Sequence, residues 1–291
     1  MRRLFFIILF IAGFIAVGQN NLQNYTPSIL FEKGDWEFKS FQNLYTQTQR
    51  FDANGKKVPL DTINGLNRIA ERETFFTSIN QFLYGLNDQI NVGFDVWIKA
   101  SNRIEDNFGS SLGVSGFGPK IKIAPFKSIP RLSIQSTFLF NPLDDAEGNE
   151  GSRYFLEWDA NLWLNQIFFD LPLNDKSQLF FQQAFWYRFT RDGSFVENNF
   201  LDTQTSVFYS YFPNSRWTIY GMSEYFPRHY NFDTQQSEAF LSYFIQSGIG
   251  LKYQLIPNLI ELEGLYTNFW NGSEGEGAGE TINLGIRVIR Q

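Results

Sequence analysis

Residues 90–101 read INVGFDVWIKAS and alternate strictly between two kinds of side chain. One face is entirely apolar and carries Ile90, Val92, Phe94, Val96, Ile98 and Ala100. The other face carries Asn91, Gly93, Asp95, Trp97, Lys99 and Ser101. Because successive side chains of a strand point to opposite faces, this pattern predicts a strand between two different environments. Charges opposite an unbroken apolar face are typical of a wall between lipid and water.

The same alternation recurs at 154–164, 179–191, 203–211, 241–255 and 282–290, and less cleanly near 36–47, 72–84 and 217–227. In 154–164 it places Leu162 and Leu164 toward lipid and Trp163 toward the interior. The alternative is a soluble β-sandwich, whose strands average about five or six residues. The segments here are near the length that crosses a bilayer with tilt, and their polar face could not fill a dry core.

The connections between the segments form two sets. The short set is Leu86–Gln89, Phe126–Pro130, Pro172–Lys176, Pro213–Arg216 and Ile256–Asn258. The longer, more polar set lies near 49–70, 104–112, 142–151, 192–201, 228–238 and 271–279. Such an alternation of short turns and long loops is typical of outer-membrane barrels, which keep the turns in the periplasm. We therefore predict an all-β, antiparallel up-and-down transmembrane barrel of about twelve strands, with both termini periplasmic.

The first eighteen residues, MRRLFFIILFIAGFIAVG, predict a signal for export. Two arginines precede an apolar run, and small residues follow it, which is the order of a cleaved secretory signal. The run is too short for a spanning helix, which needs about 20 residues. We expect a signal peptide at 1–18, a periplasmic segment at 19–34 and the barrel at 35–291.

The composition excludes some classes of protein. The formal net charge is −6, and removal of Arg2 and Arg3 would make it −8 (−6 minus 2). An acidic chain without a basic stripe does not favour nucleic-acid binding, which depends on neutralising phosphates. Cysteine is absent, so an exported chain must be held without disulfides. Aromatic residues are 18% of the chain, and aromatic girdles are one place where barrels use them.

With the signal peptide, the alternating aromatic-rich segments and the closing segment TINLGIRVIRQ (281–291), the chain resembles bacterial outer-membrane β-barrels of the porin and transporter type. The resemblance covers residues 35–291 and is architectural. It departs from such barrels at the carboxyl terminus, where many of them carry an aromatic residue and this chain carries Gln291.

The polar face predicts a nearly balanced set of charges lining the lumen. The acidic candidates are Asp95, Glu157, Asp159, Glu224, Glu261 and Glu263, and the basic ones are Lys99, Lys120, Lys122, Arg153, Arg188, Lys252 and Arg287. A strongly selective pore would carry an excess of one sign. A balanced set is compatible with an open path or with a salt-bridged interior that stiffens a narrow barrel, and the sequence leaves both open.

Two short charge ladders refine this expectation. Lys120 and Lys122 lie two residues apart, with Lys99 on the preceding strand, and Glu261 and Glu263 repeat the spacing on a later strand. On a ring of twelve strands the two ladders would face each other across the lumen, toward its periplasmic end. Either they set up a transverse field across the path, or each ladder pairs with partners on adjacent strands.

Catalytic and metal-binding patterns are weak. The single histidine, His229, is expected in a loop; barrel phospholipases place a serine two residues after theirs, and this chain has Asn231 there. The acidic loops at 142–151 and 271–280 lack calcium-loop spacing. The glycines of 113–118, GVSGFG, lack the Lys-Ser or Lys-Thr of a phosphate loop, so we assign them to wall curvature or close packing.

We therefore expect a channel or transporter for a small polar or zwitterionic solute, without cofactor, metal or catalytic residues. The first alternative is a non-conducting structural or interaction barrel that serves as a subunit of a larger cell-envelope complex. A remote alternative is an outer-membrane hydrolase. The expected partners are outer-membrane lipid and a small polar solute or envelope proteins, with no nucleic acid.

Overall fold

The computed structural model of the chain describes residues 27–60, 72–103, 109–142, 160–190, 199–230 and 242–290. The predicted signal peptide at 1–18 lies outside these residues, as do the lumen candidates Arg153, Glu157 and Asp159. Among the residues described, no helix is long and apolar enough to cross a membrane.

The described chain is built almost entirely of strands. In chain order they are β1 (Trp36–Phe51), β2 (Lys57–Pro59), β3 (Glu73–Asn87), β4 (Ile90–Arg103), β5 (Gly109–Ile123), β6 (Leu132–Leu139), β7 (Ala160–Asn174), β8 (Ser177–Thr190), β9 (Phe200–Tyr211), β10 (Trp217–Tyr230), β11 (Ser242–Ile256), β12 (Ile260–Gly272) and β13 (Gly277–Arg290). The short β2 pairs with β1 alone. The other twelve form a continuous antiparallel meander that closes through β13 and β1, so the predicted twelve-stranded barrel is confirmed.

Alternation along each strand separates the two faces of the wall. On β13, Ile282 and Leu284 are 52% and 60% exposed, whereas Asn283 between them is 5% exposed. An exposed apolar face of this extent on every side of a barrel is compatible with lipid rather than water. The polar residues consequently lie inside, where they hydrogen-bond to one another.

The two ends of the barrel differ. One end, here called the terminal end, holds the start of β1, the end of β13 and the turns β3–β4, β5–β6, β7–β8, β9–β10 and β11–β12. The opposite end is the loop end. Two predicted loops are shorter than expected, because strands continue into them. Only 273–276 joins β12 to β13, with Gly275 at φ 87, and Arg228 and His229 belong to β10.

The predicted facing of one segment is wrong. Leu162 and Leu164 of β7 are 7% and 4% exposed and point inward, whereas Trp163 is 44% exposed and points outward. The two leucines pack against Trp97, Leu139 and Ala184, which are buried side chains of β4, β6 and β8. A rule that assigns the polar face to the lumen fails here because this part of the interior is apolar.

Candidate functional site

A cavity of about 990 Å³ occupies the barrel interior. Strands β1, β3, β4 and β8–β13 contribute side chains to its lining. These side chains sort into layers along the barrel axis: an aromatic row toward the loop end, a layer of amides and hydroxyls, a second aromatic row, and a layer of charges toward the terminal end.

The amide layer is a chain of hydrogen bonds that runs from strand to strand. Its members are Trp186, Gln204, Ser206, Glu224, Gln246, Thr267, Thr281, Asn283 and Asn43, on β8 through β13 and β1. Trp186 donates from Nε1 to Gln204 at 3.1 Å, and Thr267 donates to Gln246 at 2.7 Å. Asn43 donates to Asn283 at 2.6 Å, which joins β1 to β13. Because each member is held by its neighbour, the amide groups have fixed orientations.

Glu224 lies in the middle of this layer. Its carboxylate accepts hydrogen bonds from Gln204 Nε2 at 2.5 Å, Gln246 Nε2 at 2.6 Å and Ser206 Oγ at 3.0 Å. The side chain lines the cavity, and its strand neighbours point outward to lipid. A predicted lumen charge is therefore satisfied by amide and hydroxyl donors on the two adjacent strands.

The loop-side aromatic row is continuous over six ring contacts. Its members are Phe75, Tyr45, Phe269, Phe244, Phe226, Trp186 and Trp97. Phe226 and Phe244 are stacked at 4.9 Å with an interplanar angle of 7°. The terminal-side row runs through Phe168, Phe180, Phe208 and Tyr220. The alternation in 90–101 places Trp97 on the polar face, but the other inner aromatics were not predicted, because aromatic-rich faces were assigned to lipid.

The charged layer consists of ion pairs between adjacent strands. Lys120 of β5 pairs with Asp95 of β4. Lys252 of β11 lies 3.6 Å from Glu263 and 3.9 Å from Glu261 of β12. Arg287 of β13 pairs with Glu37 of β1 and lies 3.9 Å from Glu261.

This pairing answers the question left open by the charge ladders. Apart from Lys122, the ladder residues at the terminal end are matched across one strand boundary, which is the local arrangement and not the transverse one. Two further candidates lie nearer the loop end, where Lys99 lines the cavity and Arg188 lies 3.2 Å from Asp202. Glu37 and Lys39 were not predicted, because the alternation in 36–47 is too irregular to assign a face, and Asp202 was not predicted, because it precedes the segment 203–211.

Lys122 has a different partner. Its ammonium group donates to the carbonyl oxygens of Pro27 at 2.6 Å and Ile29 at 2.7 Å. These residues precede the first strand, in the segment 27–35, here called the strap. The strap packs against the inner wall at the terminal end, and Pro27 is part of the cavity lining.

The remaining candidates do not assemble into a reactive group. His229 lies in β10 with Nε2 3.4 Å from Thr203 Oγ1. In the parts of the chain that the structure describes, no three His, Cys, Asp or Glu side chains are grouped to hold a metal ion. The glycines of 113–118 lie within β5, and a Cβ on Gly118 would be 1.9 Å from the Phe138 carbonyl oxygen, so the close-packing interpretation is confirmed there.

Several solved structures of outer-membrane proteins are similar to this fold. The crystal structure of an outer membrane channel from Pseudomonas putida F1 is similar with a TM-score of 0.65 and 11% identity, covering 92% of this chain and all (100%) of that one. The NanC porin gives a TM-score of 0.49 and 7% identity over 86% and 98% of the two chains. The translocator domain of autotransporter NalP from Neisseria meningitidis gives 0.46 and 8% over 99% and 93%.

No family model matches the chain, and no curated protein is significantly similar in sequence. The closed twelve-stranded meander and the similarity to the Pseudomonas putida channel show that the chain has the fold of outer-membrane β-barrels of the porin and transporter type. This confirms the architectural resemblance.

Proposed function

We propose that the protein is an outer-membrane channel for small polar solutes, zwitterionic ones among them, with its terminal end in the periplasm. The observation that carries this proposal is the layered cavity inside a closed barrel, where fixed amides lie between two aromatic rows. A barrel that served only as a scaffold could fill its interior with packed side chains, as narrower barrels do.

The charge distribution favours solutes of low net charge. Strongly selective ion pores carry a ring of unpaired charges of one sign. Here three bases of the charged layer, Lys120, Lys252 and Arg287, are each paired with an acid one strand away. A solute in this layer meets both signs at short range, which suits a neutral molecule or a zwitterion.

The two aromatic rows favour solutes with a flat apolar face. The rings of Phe226 and Phe244 are nearly parallel, and the amide of Gln246 follows two residues after Phe244 on the same inner face. A cyclic solute can pack its carbon face on such rings and give its hydroxyl or amino groups to the amide layer. An open-chain polyol of equal size has the hydroxyls without the flat face, so it provides a comparison.

Swelling of liposomes that contain the purified barrel tests the proposal. We expect faster entry of a pyranose or a cyclic zwitterion than of an open-chain polyol or a multivalent anion. Gln182 lines the cavity, so Gln182→Trp should slow entry several-fold. Gln183 follows it on the outer face, where its oxygen accepts a hydrogen bond from Thr205, and Gln183→Trp is the matched control.

Equal rates for Gln182→Trp and the unsubstituted barrel would show that solutes do not use this cavity. Absence of swelling with every solute, for a barrel shown to be folded and with the strap removed as well, would reject the channel. The non-conducting interaction barrel would then be the remaining function.

A further inference from the structure

We infer that the strap, residues 27–35, is a gate that closes the terminal end of the lumen and has to leave its anchor before a solute can pass. The inference rests on the channel proposed above and adds a means of control to it. It is carried by the path of the strap, by its anchors and by a glycine that makes room for it.

The strap crosses the barrel. Ser28 is hydrogen-bonded to Asp170 of β7, and Asp35 immediately precedes β1. In the ring of twelve strands β7 lies five strands away from β1, close to the opposite wall. Between these points the strap contacts Gly85 of β3, Asn91 of β4 and Lys122 of β5, and it turns at Glu32–Asp35. The strap therefore covers the part of the terminal end that lies between β1 and β7, where a solute that leaves by this end would meet it.

The far end of the strap, residues 27–29, is held by polar side chains of the barrel wall. The Lys122 ammonium donates to the carbonyls of Pro27 and Ile29, at 2.6 and 2.7 Å. Ser28 is 0% exposed and Lys122 is 4% exposed, so this anchor is sealed from solvent. Hydrogen bonds to a charged group are strong in such surroundings, but water or a solute can replace them.

The near end of the strap, residues 31–35, is held by apolar packing and by backbone hydrogen bonds. Phe31 fills an apolar site with Leu83 and Ile289. With the Asn91 amide assigned in the orientation that satisfies both of its groups, its oxygen accepts from the Phe31 N–H at 2.9 Å and its nitrogen donates to the Phe31 carbonyl at 3.1 Å. The N–H of Gly34 donates to the Gly85 carbonyl, and the N–H of Gly85 donates to the Asp35 carbonyl, both at 2.9 Å. Gly34 has φ 97, a conformation that a glycine adopts without strain. The far end can thus detach while the near end stays fixed.

Gly85 shows that the wall is shaped to receive the strap. A Cβ at this position would lie 2.0 Å from the Glu32 carbonyl oxygen and 2.8 Å from the Phe31 carbonyl oxygen. Any larger residue would displace the strap backbone. Gly264, on β12, has no such neighbour, since its nearest atom would be 4.0 Å away.

Conductance across planar bilayers tests the anchor. Lys122→Met and Asp170→Asn should each raise the open probability at least about tenfold, because a hydrogen bond to a charged group shifts an equilibrium by that factor or more. Lys127→Met removes an exposed lysine from the β5–β6 turn at the same end of the barrel and should leave the open probability unchanged. Gly85→Ala should act like Lys122→Met, and Gly264→Ala should not. Open probabilities equal to that of the unsubstituted barrel in the anchor variants would overturn the inference.

A covalent lock keeps the test independent of how well the anchor variants fold. The chain has no cysteine, so Ser28→Cys combined with Asp170→Cys can be joined by a bifunctional methanethiosulfonate reagent. We expect conductance to fall to background in the joined protein and to return on reduction. Ser28→Cys alone, given the same reagent, should keep the conductance it has before treatment.

An undiminished conductance in the joined protein would overturn the gate and leave the channel intact. No conductance in either the joined or the reduced protein, and none with residues 27–34 removed from a folded barrel, would overturn both the gate and the channel. The two failures are therefore distinguishable.

Discussion

Glu224 is a carboxylate whose three hydrogen-bond donors come from β9 and β11, the strands on either side of it. Glu224→Gln keeps the shape of the side chain but replaces one carboxylate oxygen with an NH2 group. That group would face the hydrogen-bond donors of the neighbouring strands. We expect a loss of about 1–3 kcal/mol in the free energy of unfolding, because a buried polar group loses its partner. The measurement is urea unfolding in detergent, followed by tryptophan fluorescence.

The matched control for this prediction is Glu280→Gln. Glu280 is an acid on β13 that is exposed and accepts a hydrogen bond from Asn268 at 3.2 Å. It should change the free energy of unfolding by less than about 0.5 kcal/mol, as exposed substitutions do. If both variants unfold at the same urea concentration, the amide layer is not a stabilising network.

Gly118 carries the second prediction at this scale. Gly118→Ala places a Cβ 1.9 Å from the Phe138 carbonyl oxygen, so β5 and β6 have to move apart. Overpacking of this kind costs typically about 1–3 kcal/mol, and we expect a lower unfolding temperature and a smaller folded fraction on a gel of unheated sample. Gly264→Ala, with its nearest atom at 4.0 Å, is the control, and equal behaviour of the two variants would contradict the packing argument.

Individual side chains show where sequence reasoning succeeds and where it stops. The alternation in 241–255 places Lys252 and Gln246 opposite the apolar face, and the structure puts both in the cavity lining. It gives no signal for Phe226 or Phe244, because an aromatic ring suits lipid and a luminal row equally well. Only the packing of neighbouring strands decides between them.

Among the elements, the seam between β1 and β13 closes the barrel, and one ion pair lies across it. Arg287 pairs with Glu37, and both are largely buried. Glu37→Arg would place two cations together inside the wall, and breaking a buried pair costs about 3–5 kcal/mol. We expect the variant to lose the compact mobility of the unheated barrel at a lower temperature than the unsubstituted chain.

Exchange of the two charges isolates the pair from other effects at this seam. Glu37→Arg combined with Arg287→Glu restores opposite charges and should recover part of the lost stability. The recovery will be incomplete, because Arg287 also lies 3.9 Å from Glu261. A double variant no more stable than Glu37→Arg alone would show that the pair does not hold the seam.

At the level of strands, the length and number of crossings are predictable because they follow from bilayer thickness and alternation. The facing of β7 is not, because Leu162 and Leu164 fill an apolar part of the interior against Trp97. The loop between β12 and β13 is also misjudged: its Gly and Glu residues look like a long polar loop, but the strands pair up to Gly272 and Gly277. Local composition cannot report a hydrogen-bond ladder supplied by another strand.

In the whole molecule, the layers give the lumen a direction. In the proposed channel, a solute that enters from the loop end would meet the first aromatic row, then the amide layer, then the second row and the paired charges, and finally the strap. Under the two proposals, contact with the solute and control of its exit belong to different parts of the chain. The strap could not be foreseen from the sequence, because its contacts with Lys122, Asn91 and Gly85 come from three different strands and follow no local pattern.

The claim on which the channel and the gate both depend is that the barrel crosses the outer membrane with its terminal end inside. The absence of cysteine allows single labels at two exposed connections, Glu274→Cys between β12 and β13 and Asp175→Cys between β7 and β8. The measurement is labelling by a large membrane-impermeant maleimide in intact cells. The account predicts labelling of Glu274→Cys in intact cells, and of Asp175→Cys only after the outer membrane is permeabilised. Labelling of Asp175→Cys in intact cells, or protection of Glu274→Cys until lysis, would contradict it.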